Sequence, residues 1–176
     1  MFKKNNEYRV LKVFLDNPTE RFRLRELSRK INLAPVSVIK YLAELSKEGL
    51  IVISKKDKIK FYTAQRDSIT FSRYQKISVQ YELYKSGVID KIWEELNPEA
   101  IILYGSHAKG EAIENSDIDL FIVCGQKQID LKEYEKKLGK EIHLMFKLTK
   151  NIPDELKNNL ANGIVMKGYF KTTEKK

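Results

Sequence analysis

A chain of 176 residues, 42% hydrophobic and 32% charged, holds apolar material for one ordinary domain or two small ones, and its charge excludes a membrane-embedded protein. One cysteine, Cys124, and two histidines exclude a disulfide framework and an ordinary structural zinc site. The net charge of +9 is confined to one end: residues 1–66 carry 16 Lys plus Arg against 7 Asp plus Glu, and residues 67–176 carry 17 of each.

A solvated surface rich in Lys and Glu would raise both signs together. The one-sided excess instead points to a polyanion as partner of the first third. No apolar run approaches the roughly 18 residues of a membrane span. Met1-Phe-Lys-Lys-Asn-Asn-Glu lacks the apolar stretch of a secretory signal, so a cytoplasmic location is expected.

In chain order, Tyr8, Leu11, Val13, Phe14 and Leu15 form an imperfect helical stripe that stops at Asn17-Pro18. Leu24, Leu27 and Ile31 mark a short second helix. A third opens at Ala34-Pro35, where proline lacks only an N–H that has no intrahelical partner. Val38, Leu42 and Leu45 line its inner side and Gly49 caps it. Leu50-Ile-Val-Ile-Ser and Ile59-Lys-Phe-Tyr-Thr then flank the turn Lys55-Lys56-Asp57-Lys58, predicting two strands around a basic tip.

These elements, and above all Ser37-Val-Ile-Lys-Tyr-Leu-Ala-Glu-Leu-Ser-Lys-Glu-Gly-Leu-Ile, resemble the winged helix-turn-helix domains of bacterial and archaeal regulators. The resemblance implies that the third helix enters the major groove of DNA, with Val36, Ser37, Lys40 and Tyr41 nearest the base edges. Arg21, Arg23 and Arg25 and the wing lysines Lys55, Lys56 and Lys58 would contact backbone phosphates. A protein-docking module is the alternative, and Tyr41 suits a core position equally.

Between residues 68 and 98 there is no catalytic motif. Ile77, Tyr81 and Tyr84 share one helical spacing, and Ile89, Ile92, Trp93 and Leu96 repeat it after Gly87. Two amphipathic helices follow. The aromatic run Phe71, Tyr74, Tyr81 and Tyr84 reads as buried or dimer-packing surface rather than a base-stacking platform. Asn97-Pro98 ends the segment.

Ile101-Ile-Leu-Tyr predicts a buried strand running into Gly105-Ser-His-Ala-Lys-Gly-Glu. After a loop, Asn115-Ser116 leads into the strand Asp117-Ile-Asp-Leu-Phe-Ile-Val. Strand alternation puts Asp117 and Asp119 on one face. Two carboxylates so placed repel unless a cation lies between them, and a hard divalent ion such as Mg²⁺ suits oxygen ligands and substrate phosphates. Ser106 can offer its hydroxyl and backbone N–H to a phosphate, and Gly105 lets the backbone approach. A P-loop is excluded because Glu111 and Ala112 stand where Lys and Ser or Thr are required, and G-x-G-x-x-G is absent.

Gly105-Ser106-x-Ala108-x-Gly110, followed by Ser116-Asp117-Ile118-Asp119, resembles the signature of the DNA polymerase β-like nucleotidyltransferase superfamily, in particular its minimal branch. The resemblance implies a small mixed sheet with helices on one side. It also implies transfer of a nucleoside monophosphate from a nucleoside triphosphate to an acceptor hydroxyl. Gly105 and Ser106 would hold the triphosphate, Asp117 and Asp119 would ligate Mg²⁺, and Lys109 would touch phosphate, a plain surface role being the equal alternative for it. The family's third carboxylate comes from a later strand, here Lys140-Glu-Ile-His-Leu-Met-Phe, where His143 takes its place. Glu141, two residues earlier on the same face, is one substitute; His143 as base or metal ligand is another; a nucleotide sensor without turnover is the third reading. His107 is expected at the helix start, and Cys124 packs behind the strand.

The expected architecture is α+β: a winged helix over 1–66, a helical connector over 67–96, a nucleotidyltransferase domain over 97–170 and a frayed tail over 171–176. Besides the transferase, two readings stand: a DNA-binding regulator that senses nucleotide, and an antitoxin-like protein that modifies a small helical toxin. A homodimer is the default assembly for a winged helix.

Overall fold

The computed structural model describes residues 5–149 and 152–169, so the predicted tail 171–176 lies outside the described residues. The chain forms two compact units that meet between Gln75 and Lys76.

In the first unit, α1 (Asn6–Asp16) opens at Asn5, whose side-chain oxygen accepts from the backbone N–H groups of Glu7 and Tyr8. After β1 (Arg21–Phe22), Glu26 accepts from the Arg23 backbone N–H at 2.7 Å and fixes the first turn of α2 (Leu24–Ile31). Proline heads α3 (Pro35–Lys47), and Gly49, at φ +70°, turns the chain out of it. The hairpin β2 (Ile51–Lys56) and β3 (Ile59–Ala64) pairs antiparallel, and β1 adds to β3 through Arg21 opposite Thr63, giving the order β1-β3-β2. Its two-residue turn, Asp57-Lys58, takes positive φ at both positions, 50° and 65°, which matches the right-handed twist of the flanking strands. The core joins Phe14, Phe22, Leu27, Val38, Leu42, Leu45, Leu50, Tyr62 and Phe71, with Phe14 and Phe22 edge to face at 5.6 Å.

The boundary between units falls inside α4 (Ile69–Ser86). The predicted inner stripe of this helix is wrong: Ile77 is 58% exposed and Tyr84 48%. The buried residues are Phe71, Gln75 and Ser78, which share one helical face, and Leu83, which lies off it; the two polar residues disguise the stripe. Of the aromatic run, only Phe71 is buried. By contrast, α5 (Val88–Leu96) buries Ile89, Ile92 and Leu96 as its spacing predicts, with Trp93 half-buried.

In the second unit, β4 (Ala100–Tyr104), β5 (Ile118–Ile122), β6 (Ile142–Phe146) and β7 (Ile164–Gly168) form a mixed sheet in the order β6-β5-β4-β7. Only β5 and β6 run parallel, with α7 (Lys132–Leu138) between them in sequence. Side-chain alternation splits the core. Ile101, Leu103, Leu120 and Ile122 pack with Leu83, α5 and Tyr134 and Leu138 of α7. Ala100, Ile102, Phe121 and Val123 pack with Ile152 and with Leu156 and Leu160 of α8 (Asp154–Ala161). Helices therefore cover both faces, which corrects the one-sided arrangement implied by the resemblance: the apolar residues on both sides of β4 and β5 each need cover. Cys124 is buried against the first of these clusters. Among the described residues, no helix is long and apolar enough to cross a membrane.

Candidate active site

The site grows from the end of β4. Tyr104 pairs with Asp119 across the antiparallel ladder, so the turn that follows Tyr104 emerges beside that carboxylate. Gly105, at φ +71°, starts the short helix α6 (Gly105–Lys109). A Cβ on Gly105 would collide with Asp119 Oδ2 and lie 3.2 Å from Asp119 Cγ. The glycine is needed both for its backbone angle and for the space the carboxylate occupies.

The loop between α6 and β5 is tied down at several points. His107 is buried and its Nε2 lies 3.2 Å from the Ser116 carbonyl, which can only accept, so the proton sits on Nε2. Burial lowers the pKa of this imidazole below 6.5; the Ser116 hydrogen bond opposes the shift and Lys140 adds to it. Lys140 Nζ donates to the carbonyls of Glu114 and Ser116 at 3.0 and 3.3 Å, and Ser116 Oγ accepts from the Ile113 N–H at 2.9 Å. His107 thus does more than occupy a helix start: it braces the residue before Asp117.

Asp117 and Asp119 share a face, as alternation requires, with Ile118 buried on the other side. The parallel register of β5 and β6 sets His143 opposite Asp119 and carries Glu141 to the same end of the sheet, where its carbonyl accepts from the Ile118 N–H at 2.9 Å. The four side chains converge. His143 Nε2 lies 3.8 Å from Asp117 Oδ2 and 3.9 Å from Glu141 Oε2, and Nδ1 lies 3.8 Å from Asp119 Oδ1. Asp117, Glu141 and His143 each offer a ligand atom within 4.8 Å of the others, close enough to grip one ion. Burial raises the pKa of Asp119, His143 pulls it down and Asp117 raises it further.

Beside Gly105 opens a cleft of about 640 Å³ lined by Tyr104, Gly105, Ala108, Lys109 and Glu111, together with Lys76 of α4 and Asn159 and Asn162 at the end of α8. Lys76 and the pair Asn159 and Asn162 carry no motif and come from two helices far apart in sequence, so periodicity alone could not bring them to the site. Ser106 is half-buried and is not among the residues that line the cleft, whereas Lys109 lines it and is exposed.

In the first unit the predicted nucleic-acid residues divide. Val36 is 80% exposed, and Ser37, Lys40, Arg23, Arg25, Lys55, Lys56 and Lys58 are also exposed. Tyr41 is half-buried against the core. The guanidinium groups of Arg21 and Arg23 each lie 5.4 Å from the Phe61 ring.

No curated protein matches this chain. Residues 88–169, from the start of α5 to just beyond β7, match the family model Polymerase beta, Nucleotidyltransferase, and this segment is similar to a nucleotidyltransferase domain.

Proposed function

We propose that the second unit transfers a nucleoside monophosphate from a nucleoside triphosphate to an acceptor hydroxyl. The placement of Gly105 directly against Asp119 carries this reading, because a turn suited to phosphate would then lie beside a carboxylate cluster. Gly105 and Ser106 hold the triphosphate, with Lys109 at the edge of the same cleft. Asp117 and Asp119 hold the Mg²⁺ that neutralises the triphosphate and stabilises charge on the leaving group. The acceptor oxygen bonds to the α-phosphorus as the bond to pyrophosphate breaks, pyrophosphate leaves with the electron pair, and Glu141 takes the acceptor's proton. The converging donor atoms of Asp117, Glu141 and His143 support an ion here.

Incubation with Mg²⁺, labelled nucleoside triphosphates and candidate acceptors should release pyrophosphate, and Asp117→Asn and Asp119→Asn should abolish the release. No release, with both variants indistinguishable from the wild type, removes the reading.

A second reading, a DNA-binding regulator that senses nucleotide, is favoured by the first unit: its charge excess is local, the start of α3 is exposed and its hairpin tip carries three lysines. Under it, the unit acts as a winged helix with Ser37 and Lys40 in the major groove and the lysine tip on phosphate.

A further inference from the structure

A reaction of this class calls for a hard divalent ion held by oxygen, and the donor set of this chain departs from that preference. His143 stands opposite Asp119 on β6, where the resemblance implies a carboxylate. Its ring lies inside the acid cluster: Nε2 is 3.8 Å from Asp117 and 3.9 Å from Glu141, and Nδ1 is 3.8 Å from Asp119. All three separations are too long for hydrogen bonds. The two measured from Nε2 also fall below about 4.2 Å, the widest spacing of two atoms that each lie about 2.1 Å from one ion. The His143 side chain is 58% exposed, so core packing does not account for its place.

We propose that His143 ligates the metal through Nε2, beside Asp117 and Glu141, and that this nitrogen tunes the site to a divalent first-row transition ion of the manganese class over magnesium. The proposal rests on the transferase reading of the same site. Imidazole strengthens binding of transition ions along the Irving–Williams order, whereas magnesium favours carboxylate and water. Asp119 Oδ1 lies on the Nδ1 side of the ring at 3.8 Å, so its negative charge favours the proton on Nδ1 and leaves the Nε2 lone pair to the ion. Asp119 Oδ2, beside Gly105, remains available toward the cleft.

The test uses the full chain loaded with Mn²⁺. Electron spin echo envelope modulation should show nitrogen modulation from a bound imidazole in the wild type and in His107→Gln, and none in His143→Asp. Calorimetric affinities for Mn²⁺ and Mg²⁺ should show the Mn²⁺/Mg²⁺ preference falling at least about tenfold in His143→Asp. Failure of the wild type to bind Mn²⁺, bound Mn²⁺ without nitrogen modulation, or a preference unchanged by His143→Asp overturns the proposal. The wild-type spectrum decides even if the variant misfolds. Nitrogen modulation without any nucleotidyl transfer would leave the ligand assignment standing and remove the transferase reading.

Discussion

The Asp119 carboxylate occupies the space where Gly105 would carry a side chain. Strand pairing between Tyr104 and Asp119 brings the two together, and the +71° φ of Gly105 keeps the backbone out of the carboxylate's way. A methyl group at this point meets both objections. Gly105→Ala should destabilise the protein by about 1–3 kcal/mol through its left-handed backbone and the collision with Asp119. It should also reduce nucleotidyl transfer about a hundredfold, because a carboxylate displaced by about 1 Å is misaligned with its phosphate. Thermal melts and transfer assays report the two effects. In an Asp119→Ala background the stability loss should shrink, since the collision is gone and only the backbone strain remains; an equal loss in both backgrounds argues against the steric account.

Asp119 should also set a conflict between stability and activity. Burial, the leading cause, raises its carboxyl pKa above 3.8, and Asp117 adds to the rise while His143 opposes it. A group with a raised folded pKa contributes stability that is full below the unfolded value and lost as pH rises through the folded value. At neutral pH the ionised Asp119 is therefore a burden on the metal-free fold. Asp119→Asn should melt higher than the wild type at pH 7, with the gap closing toward pH 3, while losing transfer. A variant no more stable at pH 7 than at pH 3, relative to wild type, contradicts this.

Much of this fold is legible in order of how local its causes are. The turn Gly105-Ser106, the alternation of Asp117 and Asp119 and the stripe of α5 follow from residues close in sequence. What fails depends on partners far along the chain. The strand β1, two residues long, exists only because Arg21 and Phe22 pair with β3. The buried side of α4 contains Gln75 and Ser78, so hydrophobicity alone points to the wrong face. At the site, alternation puts Glu141 and His143 on one face of β6, but their meeting with Asp117 needs the parallel register of Asp119 with His143. Lys76, Asn159 and Asn162 reach the cleft by tertiary packing alone.

His107 makes acid a threat to the loop that holds Asp117. Its pKa is lowered from 6.5, chiefly by burial, so the neutral ring is the form that fits. A depressed folded pKa gives stability that is present above the unfolded value and lost as pH falls through the folded one. The wild type should therefore lose stability on acidification below pH 6.5, through protonation of a ring that donates to the Ser116 carbonyl. His107→Gln, whose amide can still donate, should flatten this part of the pH profile in denaturant titrations. A profile with the same slope in both proteins would place the acid sensitivity elsewhere.

At the tip of the β2–β3 hairpin, stability and DNA affinity should move in opposite directions. Lys58 holds φ at 65°, a left-handed angle that costs a side-chain-bearing residue about 1–2 kcal/mol and glycine little. Gly also frees the unfolded chain, so Lys58→Gly should gain a net stabilisation nearer 0.5 kcal/mol, visible as a rise of a few degrees in melting temperature. Under the DNA-binding reading, Lys58 neutralises a phosphate, and each such contact contributes about −0.9 to the slope of log affinity against log salt. The variant should bind DNA more weakly at low salt, with its slope shallower by about that amount, and Lys55→Ala with Lys56→Ala should extend the trend. A salt response that is flat in the wild type, or a slope unmoved by all three substitutions, would show that the lysine tip does not meet the phosphate backbone.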